Sequence, residues 1–580
     1  MSMVSNPEGP VGSSCGVLTK SDWIIATTLA LATMFFVWTH IHHPILPMED
    51  ASMLLRYSQN FAHGHGIVWN VGEHPVEGAT DFLFMLVIGV VSRLTGAGVK
   101  SVATGLLLIS QAASAAVLYV ALRKLYRAPR LLATGFAALL GAGVGYHYVD
   151  TAFSAPFYGL FALLTWCVGV ACVQQGVTWR RAIWFGALGF VTGLIRPDGV
   201  ILAALILWSV LYGVRRGWLE RSNWGERNNW IEWRRLIVSF GLIFALCGGA
   251  YFGWRLHYFG YPFPNPYYIK NAGGAQLGVL KLSARGLVAI LLPVLPLAAL
   301  GLRSRAAFKL LAMWLITVVP FTAVWMFVSP DNNHFSRFQY VMVPLSMLAI
   351  GGMTAEWWRN QEGGGKISLD ATWTTGLRIP LGAVVLGLFM CGIYYNLHLY
   401  TSPFSNRGAQ DLAARLKPFA AKNYTMVVTE AGDLPFYSEW RAVDAFGLND
   451  AYVAHHNRKL SEEYLDRYRP EIILYRVWGQ FVSVDEFRAQ LGGPEVKSTG
   501  LLTTTDMFLN RYARERGYVL AAIWGAEQCQ ADVYWVRPDF ADRDAVLSAI
   551  RDHPYYTQDT GKLSSNFAGV PAPSVPCLVP

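Results

Sequence analysis

The sequence predicts a polytopic α-helical membrane protein of about eleven transmembrane helices that carries a C-terminal α/β domain outside the membrane. Three observations predict it. Of the 580 residues, 53% are hydrophobic and only 15% charged, and the mean hydropathy is +0.32, a balance that suits lipid rather than water. The apolar residues gather into runs of near-transmembrane length, with Lys and Arg in short clusters between them, as cytoplasmic loops require. After Tyr400 charges become frequent and apolar runs shrink to strand length. The 55 Gly and 21 Trp fit the same class, because Gly is tolerated in membrane helices and Trp favours their interfaces. The net charge of +9 is carried by the loop clusters and gives no ground for a nucleic-acid partner.

Residues 1–22 read as a polar cytoplasmic tail. No small-residue cleavage pattern follows the first apolar run, so 23–41 is an uncleaved helix. The transmembrane region continues to 399, and its first external loop covers 42–99. Within that loop, 81–94 is apolar but short. As a juxtamembrane or re-entrant helix rather than a crossing, it leaves Arg123, Lys124, Arg127 and Arg130 in the cytoplasm. Further spans are expected at 100–122, 131–148, 156–176, 182–195, 200–213, 236–254, 286–302, 310–328, 339–354 and 379–398. This threading also sends Arg180, Arg181, Arg234, Arg235, Arg303 and Arg305 to the cytoplasm.

In the extracytoplasmic domain, 400–580, strands are expected at 425–429, 471–475, 518–524 and 533–536, with helices at 409–419, 461–468 and 542–551. Asp433, Asp444 and Asp450 lie in turn-rich strings and read as caps or loop closers. The domain's expected task is to bind an acceptor or cover the site. Cys529 and Cys577 are its only cysteines; a disulfide between them and two separate thiols are both open. The remaining cysteines show no metal-ligand spacing, and whether a divalent metal takes part is open.

The segment from Met48 to Phe84 is the most informative. Glu49 and Asp50 directly follow the first span and open a helix whose stripe Leu54, Tyr57 and Phe61 recurs at helical spacing. Paired acids there have two readings: N-terminal capping with dipole complementarity, worth about 1 kcal/mol, or a carboxylate that deprotonates or orients an acceptor hydroxyl at the membrane surface.

Other external turns supply complementary charge. Asp150 is either a solvated cap or a second active-site acid. Arg196 and Asp198 either pair with each other or contact a ligand. Lys270, His334 and Arg337 are external cations of the kind that bind a lipid phosphate and stabilise it as a leaving group, although each alone also suits an interfacial anchor. With Arg56, Arg196 and Arg255 they are the external cations expected to converge, at least two of them lining one cavity with Asp50. Asn265, Tyr267 and Tyr268 could hydrogen-bond or stack on a sugar.

The acidic pair after the first helix, Arg56-Tyr57 to Asn60, Gly64-His65-Gly66-Ile67-Val68-Trp69-Asn70, Gly72-Glu73 and Val76-Glu77-Gly78 with Thr80 resemble the first external loop of polyprenyl-phosphate-sugar-dependent glycosyltransferases of the C-type membrane fold, GT-C. Among these the chain is most similar to the AftB-type terminal arabinofuranosyltransferases of actinobacterial cell walls. Arg196-Pro197-Asp198-Gly199 resembles that group's Arg-Pro-acid-Gly turn, and Asn265-Pro266-Tyr267-Tyr268-Ile269-Lys270, after Arg255, its Pro-Asn-Thr-Tyr-Tyr-x-Lys loop. Thr429 to Tyr437 and Asp444 to Leu448 resemble the start of its extracytoplasmic domain. Two positions depart from the pattern: Glu49 stands where the pair is usually Asp-Asp, which favours Asp50 as the catalytic acid, and Pro266 replaces a Thr.

The resemblance implies a membrane glycosyltransferase that moves a pentose, arabinofuranose, from a polyprenyl-phosphate donor to a glycan acceptor on the outer side of a bacterial plasma membrane. Tyr57 and Glu77, within the resembling loop, join the candidate substrate-binding groups. The same fold acting with another sugar on a protein or lipid acceptor is the neighbouring reading. A lipid or solute transporter is the different-class one, and it predicts ionisable residues in mid-span and pseudo-symmetric halves. The sequence offers neither.

Overall fold

The computed structural model describes residues 16–41, 47–220, 227–270, 275–327, 333, 336–362, 407–457, 459–479, 500–501, 503–524 and 530–552. In chain order the membrane region comprises α1 (Lys20–His40), α2 (Glu49–Ala62), α3 (Phe82–Thr95), α4 (Val99–Tyr126), α5 (Arg130–Gly141), α6 (Gly145–Asp150), α7 (Ala155–Gln175), α8 (Trp179–Ile195), α9 (Asp198–Glu220), α10 (Arg227–Ile243), α11 (Gly249–Phe259), α12 (Asn265–Lys270), α13 (Leu277–Leu291), α14 (Arg305–Val324), α15 (Arg337–Tyr340) and α16 (Met342–Glu362).

Local chemistry sets several of these bounds. Thr19 and Asp22 form a reciprocal capping box at the start of α1. Thr178 and Ser304 hydroxyls accept the N–H of Arg181 and Ala307 at the starts of α8 and α14. A left-handed Gly96 closes α3.

Among the described residues, six helical segments are long and apolar enough to cross a membrane: Lys20–His40, Val99–Tyr126, Arg130–Asp150, Ala155–Gln175, Trp230–Phe259 and Arg305–Phe327. A seventh arises if Leu277–Leu291 and Leu295–Leu302, bent by 90°, count as one. The expected spans at 182–195 and 200–213 are helical within α8 and α9, and that at 339–354 runs from the end of α15 through a turn at Val341 into α16. A 17-residue helix such as α8 rises only ~26 Å, short of a ~30 Å hydrocarbon core. The expected span at 379–398 lies outside the described residues. The chain is a multi-pass membrane protein.

α4 fixes which end is which. Near its C-terminus, Arg123 bonds Asp22 of α1 at 2.9 Å, and Arg130 reaches the same carboxylate at 3.2 Å. Near its N-terminus, the Lys100 ammonium donates to the Tyr437 hydroxyl of the C-terminal domain at 3.3 Å. α1 therefore starts at the Arg123 end and α4 returns to it. The 14-residue α3, packed on α2, rises only ~21 Å.

The C-terminal domain contains α17 (Arg407–Leu416), β1 (Thr425–Val428), α18 (Asp433–Ser438), β2 (Arg441–Asp444), α19 (Ala451–His455), α20 (Glu462–Tyr468), β3 (Ile472–Gly479), β4 (Gly500–Leu501), α21 (Thr504–Glu515), β5 (Val519–Trp524), β6 (Gln530–Val536) and α22 (Arg543–Arg551). The strands form one mixed sheet, ordered β2-β1-β3-β6-β5 with β4 beside β3. β1 runs parallel to β2 and β3, and β6 antiparallel to β3 and β5. The four expected strands are present. β2 was not expected, because Arg441-Ala442-Val443-Asp444 is short and charged at both ends. One apolar core runs without interruption from the membrane helices into this domain through Leu434, Phe436 and Trp440.

Candidate active site

The first turn of α2 lies where the membrane helices meet the C-terminal domain, and its two acids diverge. Met48 occupies the N-cap position with no side-chain cap bond, and the helix dipole favours acids at the positions that follow. Glu49 Oε1 accepts the N–H of Gly432 at 2.6 Å and of Asp433 at 3.1 Å, at the start of α18. Asp50 Oδ2 instead meets Arg337 Nη2 at 2.5 Å. The Asp50 side chain keeps 17% of its surface exposed and that of Arg337 10%, so the pair sits at the edge of the protein interior rather than sealed inside it.

Around this pair aromatic faces and a second guanidinium complete the site. Arg337 lies 3.9 Å from the Phe153 ring centroid and 5.0 Å from that of Phe338. Arg196 lies 5.1 Å from the same Phe338 ring, so Arg196 and Arg337 share an aromatic partner. Arg196 is held by Asp81 at 2.9 Å and Asp198 at 3.0 Å, which realises the pairing reading for Arg196 and Asp198. The Tyr158 hydroxyl donates to Asp198 at 3.1 Å, and the Ser154 hydroxyl donates to Asp81. Asp150 is half-buried at the end of α6. The next residue, Thr151, gives its carbonyl to the N–H of Met48 at 3.1 Å and so fixes the entry to α2.

The other predicted residues go elsewhere. Arg56 is buried and donates to the carbonyls of Trp69 (2.8 Å), Pro435 (2.5 Å) and Trp440 (2.8 Å) and to Asn70 Oδ1 (2.9 Å). It is not among the cations gathered at Asp50, because four acceptors of the first loop and the C-terminal domain use its fork. Arg255 pairs with buried Glu77 at 2.7 Å and donates to the Pro262 carbonyl at 2.6 Å, so it too is drawn away. The Glu77 carbonyl accepts the Asn265 N–H at 3.0 Å, and the Asn265 side chain donates to Gly447. Tyr57 is buried, its hydroxyl accepting the Gly78 N–H at 3.1 Å. Tyr267 is exposed, and Tyr268 packs edge-on against His455 of α19. Lys270 is half-buried at the end of α12. His334, Cys529 and Cys577 lie outside the described residues.

A buried charge cluster under α2 was not anticipated. The Ser52 hydroxyl donates to Asp433 at 2.5 Å. Arg476 bridges Glu430 at 2.9 Å and Asp532 at 2.7 Å. Asp433 was expected to cap or close a loop, but its carboxylate faces α2. Asp444 and Asp450 do act locally: Asp444 accepts the N–H groups of Phe446, Gly447 and Asn449, and Asp450 caps α19. Burial, then the carboxylates of Asp433 and Glu430, push Glu49 well above the usual carboxylate range. Burial raises Asp433 to about 7 against the Ser52 bond and the Arg476 and Lys100 charges. Alternation and spacing carry no trace of this cluster, since its α2 members meet partners 381 to 384 positions further along the chain.

Among the described residues no three His, Cys, Asp or Glu side chains are grouped to hold a metal ion. Glu49 and Asp433 are turned toward protein donors.

The chain as a whole is similar to ArnT from Cupriavidus metallidurans in its crystal structure bound to undecaprenyl phosphate, with a TM-score of 0.51 and 13% identity over 89% of this chain and 98% of that one. This is the C-type membrane glycosyltransferase fold. Other similar structures are the Archaeoglobus fulgidus oligosaccharyltransferase (TM-score 0.47, 9% identity, 78% of this chain and 69% of that one) and the arabinofuranosyltransferase AftD from Mycobacteria (TM-score 0.49, 12% identity, 91% and 42%). Residues 401–541 match a family model described as a domain of unknown function, DUF8728. No curated protein matches the chain by sequence.

Proposed function

We propose that this chain is a glycosyltransferase that moves a sugar from a polyprenyl-phosphate donor to a hydroxyl of a cell-envelope glycan, on the outer side of a bacterial plasma membrane. The observation that carries the reading is the Asp50–Arg337 pair, a carboxylate and a guanidinium in contact at the junction of membrane helices and C-terminal domain. Glycosyl transfer needs that combination. The acceptor O–H gives its proton to Asp50 as its oxygen bonds the anomeric carbon, and the bond from that carbon to the phosphate oxygen breaks. The departing lipid phosphate carries the electron pair away as added negative charge, which Arg337 stabilises, whereas Arg196 is already balanced by Asp81 and Asp198 and supports the far side of the shared Phe338 ring. The ArnT structure contains undecaprenyl phosphate, and we read the same class of donor lipid here.

The sugar is read as arabinofuranose from the motifs that resemble the terminal arabinofuranosyltransferases. Exposed Tyr267 offers a ring on which a sugar could stack. The test is transfer from a synthetic polyprenyl-phospho-arabinofuranose to an arabinan acceptor by the purified full chain in liposomes. Asp50→Asn is expected to lower turnover by about 10²-fold or more with donor binding retained. Wild-type turnover in that variant would remove Asp50 from the mechanism, whereas transfer of a different polyprenyl-linked sugar alone would revise only the donor.

A further inference from the structure

The turn that carries Arg337 is α15, and each of its four side chains is tied to a different part of the protein. Arg337 meets Asp50. Phe338 stacks on Trp325, after α14, with ring centroids 4.5 Å apart and planes within 5°, and its N–H donates to Asn333 Oδ1 at 3.2 Å. Gln339 is buried: its Nε2 donates to Ser283 Oγ of α13 at 2.8 Å, and its Oε1 accepts from Asn333 Nδ2 at 2.9 Å. The Tyr340 hydroxyl donates to Gln111 Oε1 of α4 at 2.7 Å, and Gln111 Nε2 donates onward to the Leu140 carbonyl of α5 at 2.7 Å.

Holding the turn this way is costly. Gln111 is buried near the middle of the 28-residue α4, where an amide is expensive in hydrocarbon unless its donors and acceptors are met. Ser336, which opens α15, is left-handed at φ 57°, a conformation that persists in a non-glycine residue only where its surroundings over-determine it. Two glycines make room for the arrangement: a Cβ on Gly145 would collide with the Gln111 amide, and one on Gly286 with the Ser336 hydroxyl. A single helical turn is unfavourable on its own, so these side-chain bonds to α4 and α13 decide where Arg337 is held.

We propose that Gln339 and Gln111, the latter through Tyr340, are positioning residues that hold the Arg337 guanidinium where negative charge develops on the leaving phosphate. The role rests on the reaction proposed above. A charge stabiliser acts by being in place before the reaction, so a turn free to shift by about 1 Å loses rate rather than donor affinity.

Steady-state transfer from the same synthetic donor by the full chain in liposomes, with melting temperatures measured in parallel, tests the role in two sets of variants. Gln339→Met, similar in shape, should lower kcat by about tenfold or more with the donor KM little changed. Tyr340→Phe combined with Gln111→Leu removes both partners of a buried bond together, so this double variant should melt close to wild type and still lose kcat. Each set is then repeated in Arg337→Ala. Residues that act through Arg337 have nothing left to position there, so neither set should lower kcat further. Wild-type kcat in a set, or a loss that multiplies in full with that of Arg337→Ala, would overturn the role of the residues in that set and leave the proposed reaction standing. Wild-type kcat in Arg337→Ala alone would instead remove the guanidinium from the reaction, and the positioning role with it.

Discussion

At the scale of single residues, one turn of helix separates two carboxylates into different tasks. Asp50 faces a guanidinium, and Glu49 faces two backbone N–H groups. An amide oxygen can accept the same two N–H groups, so Glu49→Gln should keep turnover within about tenfold, against about 10²-fold or more lost in Asp50→Asn. Parallel kcat measurements on the two variants check this; equal losses would mean that the pair works as a unit. The same neighbourhood should make stability depend on pH. Undocked, Asp433 and Glu49 would titrate near 4, whereas in the folded protein Asp433 holds its proton to about 7 and Glu49 is raised in the same direction. Between those values the folded state binds more protons, so stability falls as pH rises from about 4 to about 7. The melting temperature should therefore drop between pH 5 and pH 8, and Asp433→Asn should flatten the drop. A wild-type profile flat across that range would contradict the buried cluster. The acid pair was legible in the sequence, but its division of labour was not, because Gly432 and Arg337 lie hundreds of positions away. For the same reason Arg56 read as a phosphate ligand: only the fold shows that its donors are already used by carbonyls.

At the scale of elements, the strings that resemble the arabinofuranosyltransferase loops turn out largely to dock one element onto another. Trp69 and Asn70 bond the backbone of Ala442 in β2, covering the edge strand of the sheet, whose open N–H and C=O groups would otherwise invite pairing with another chain. Gly78 lies so close to the C-terminal domain that a Cβ there would sit 2.1 Å from Asn449 Oδ1, and one on Gly432 would sit 1.9 Å from the Glu49 carbonyl oxygen. Backbone cannot retreat as a flexible side chain can, so Gly432→Ala must push α18 away from α2. The expected cost is about 1 to 3 kcal/mol, read as a lower melting temperature. Melting like wild type would mean that the two elements are not held so closely. Periodicity gave the longer membrane helices and four of the strands because each buries a regular apolar face, but it missed α21, a 12-residue helix that opens on a capping box at Thr503. It could not give β2, which is held by the first loop and by β1 rather than by its own pattern.

At the scale of the whole molecule, the argument concerns sides. α4 has 28 residues, so it spans ~42 Å, more than the ~30 Å of a hydrocarbon core. One end touches Tyr437 of the C-terminal domain, and the other is bound to Asp22 of α1. α1 therefore carries the chain to the C-terminal-domain side, α2 and α3 remain there, and α4 brings it back. The sequence held the clue in the cationic cluster Arg123, Lys124, Arg127 and Arg130, since positive loops favour the cytoplasm. Span counting alone was a weaker guide, because short helices such as α3 and α8 look alike in hydropathy whether they cross, tilt or stop short. If the cluster is cytoplasmic, the C-terminal domain lies outside. Single cysteines at the exposed positions Arg127 and Arg467, in a background lacking the native cysteines, make this measurable. An impermeant maleimide applied to intact cells should label Arg467→Cys at once and Arg127→Cys only after the membrane is permeabilised. Labelling of both from outside would require α3 to cross. Labelling of Arg127→Cys alone would invert the protein and put the Asp50–Arg337 site on the cytoplasmic face, where the donor would have to be loaded from the opposite leaflet.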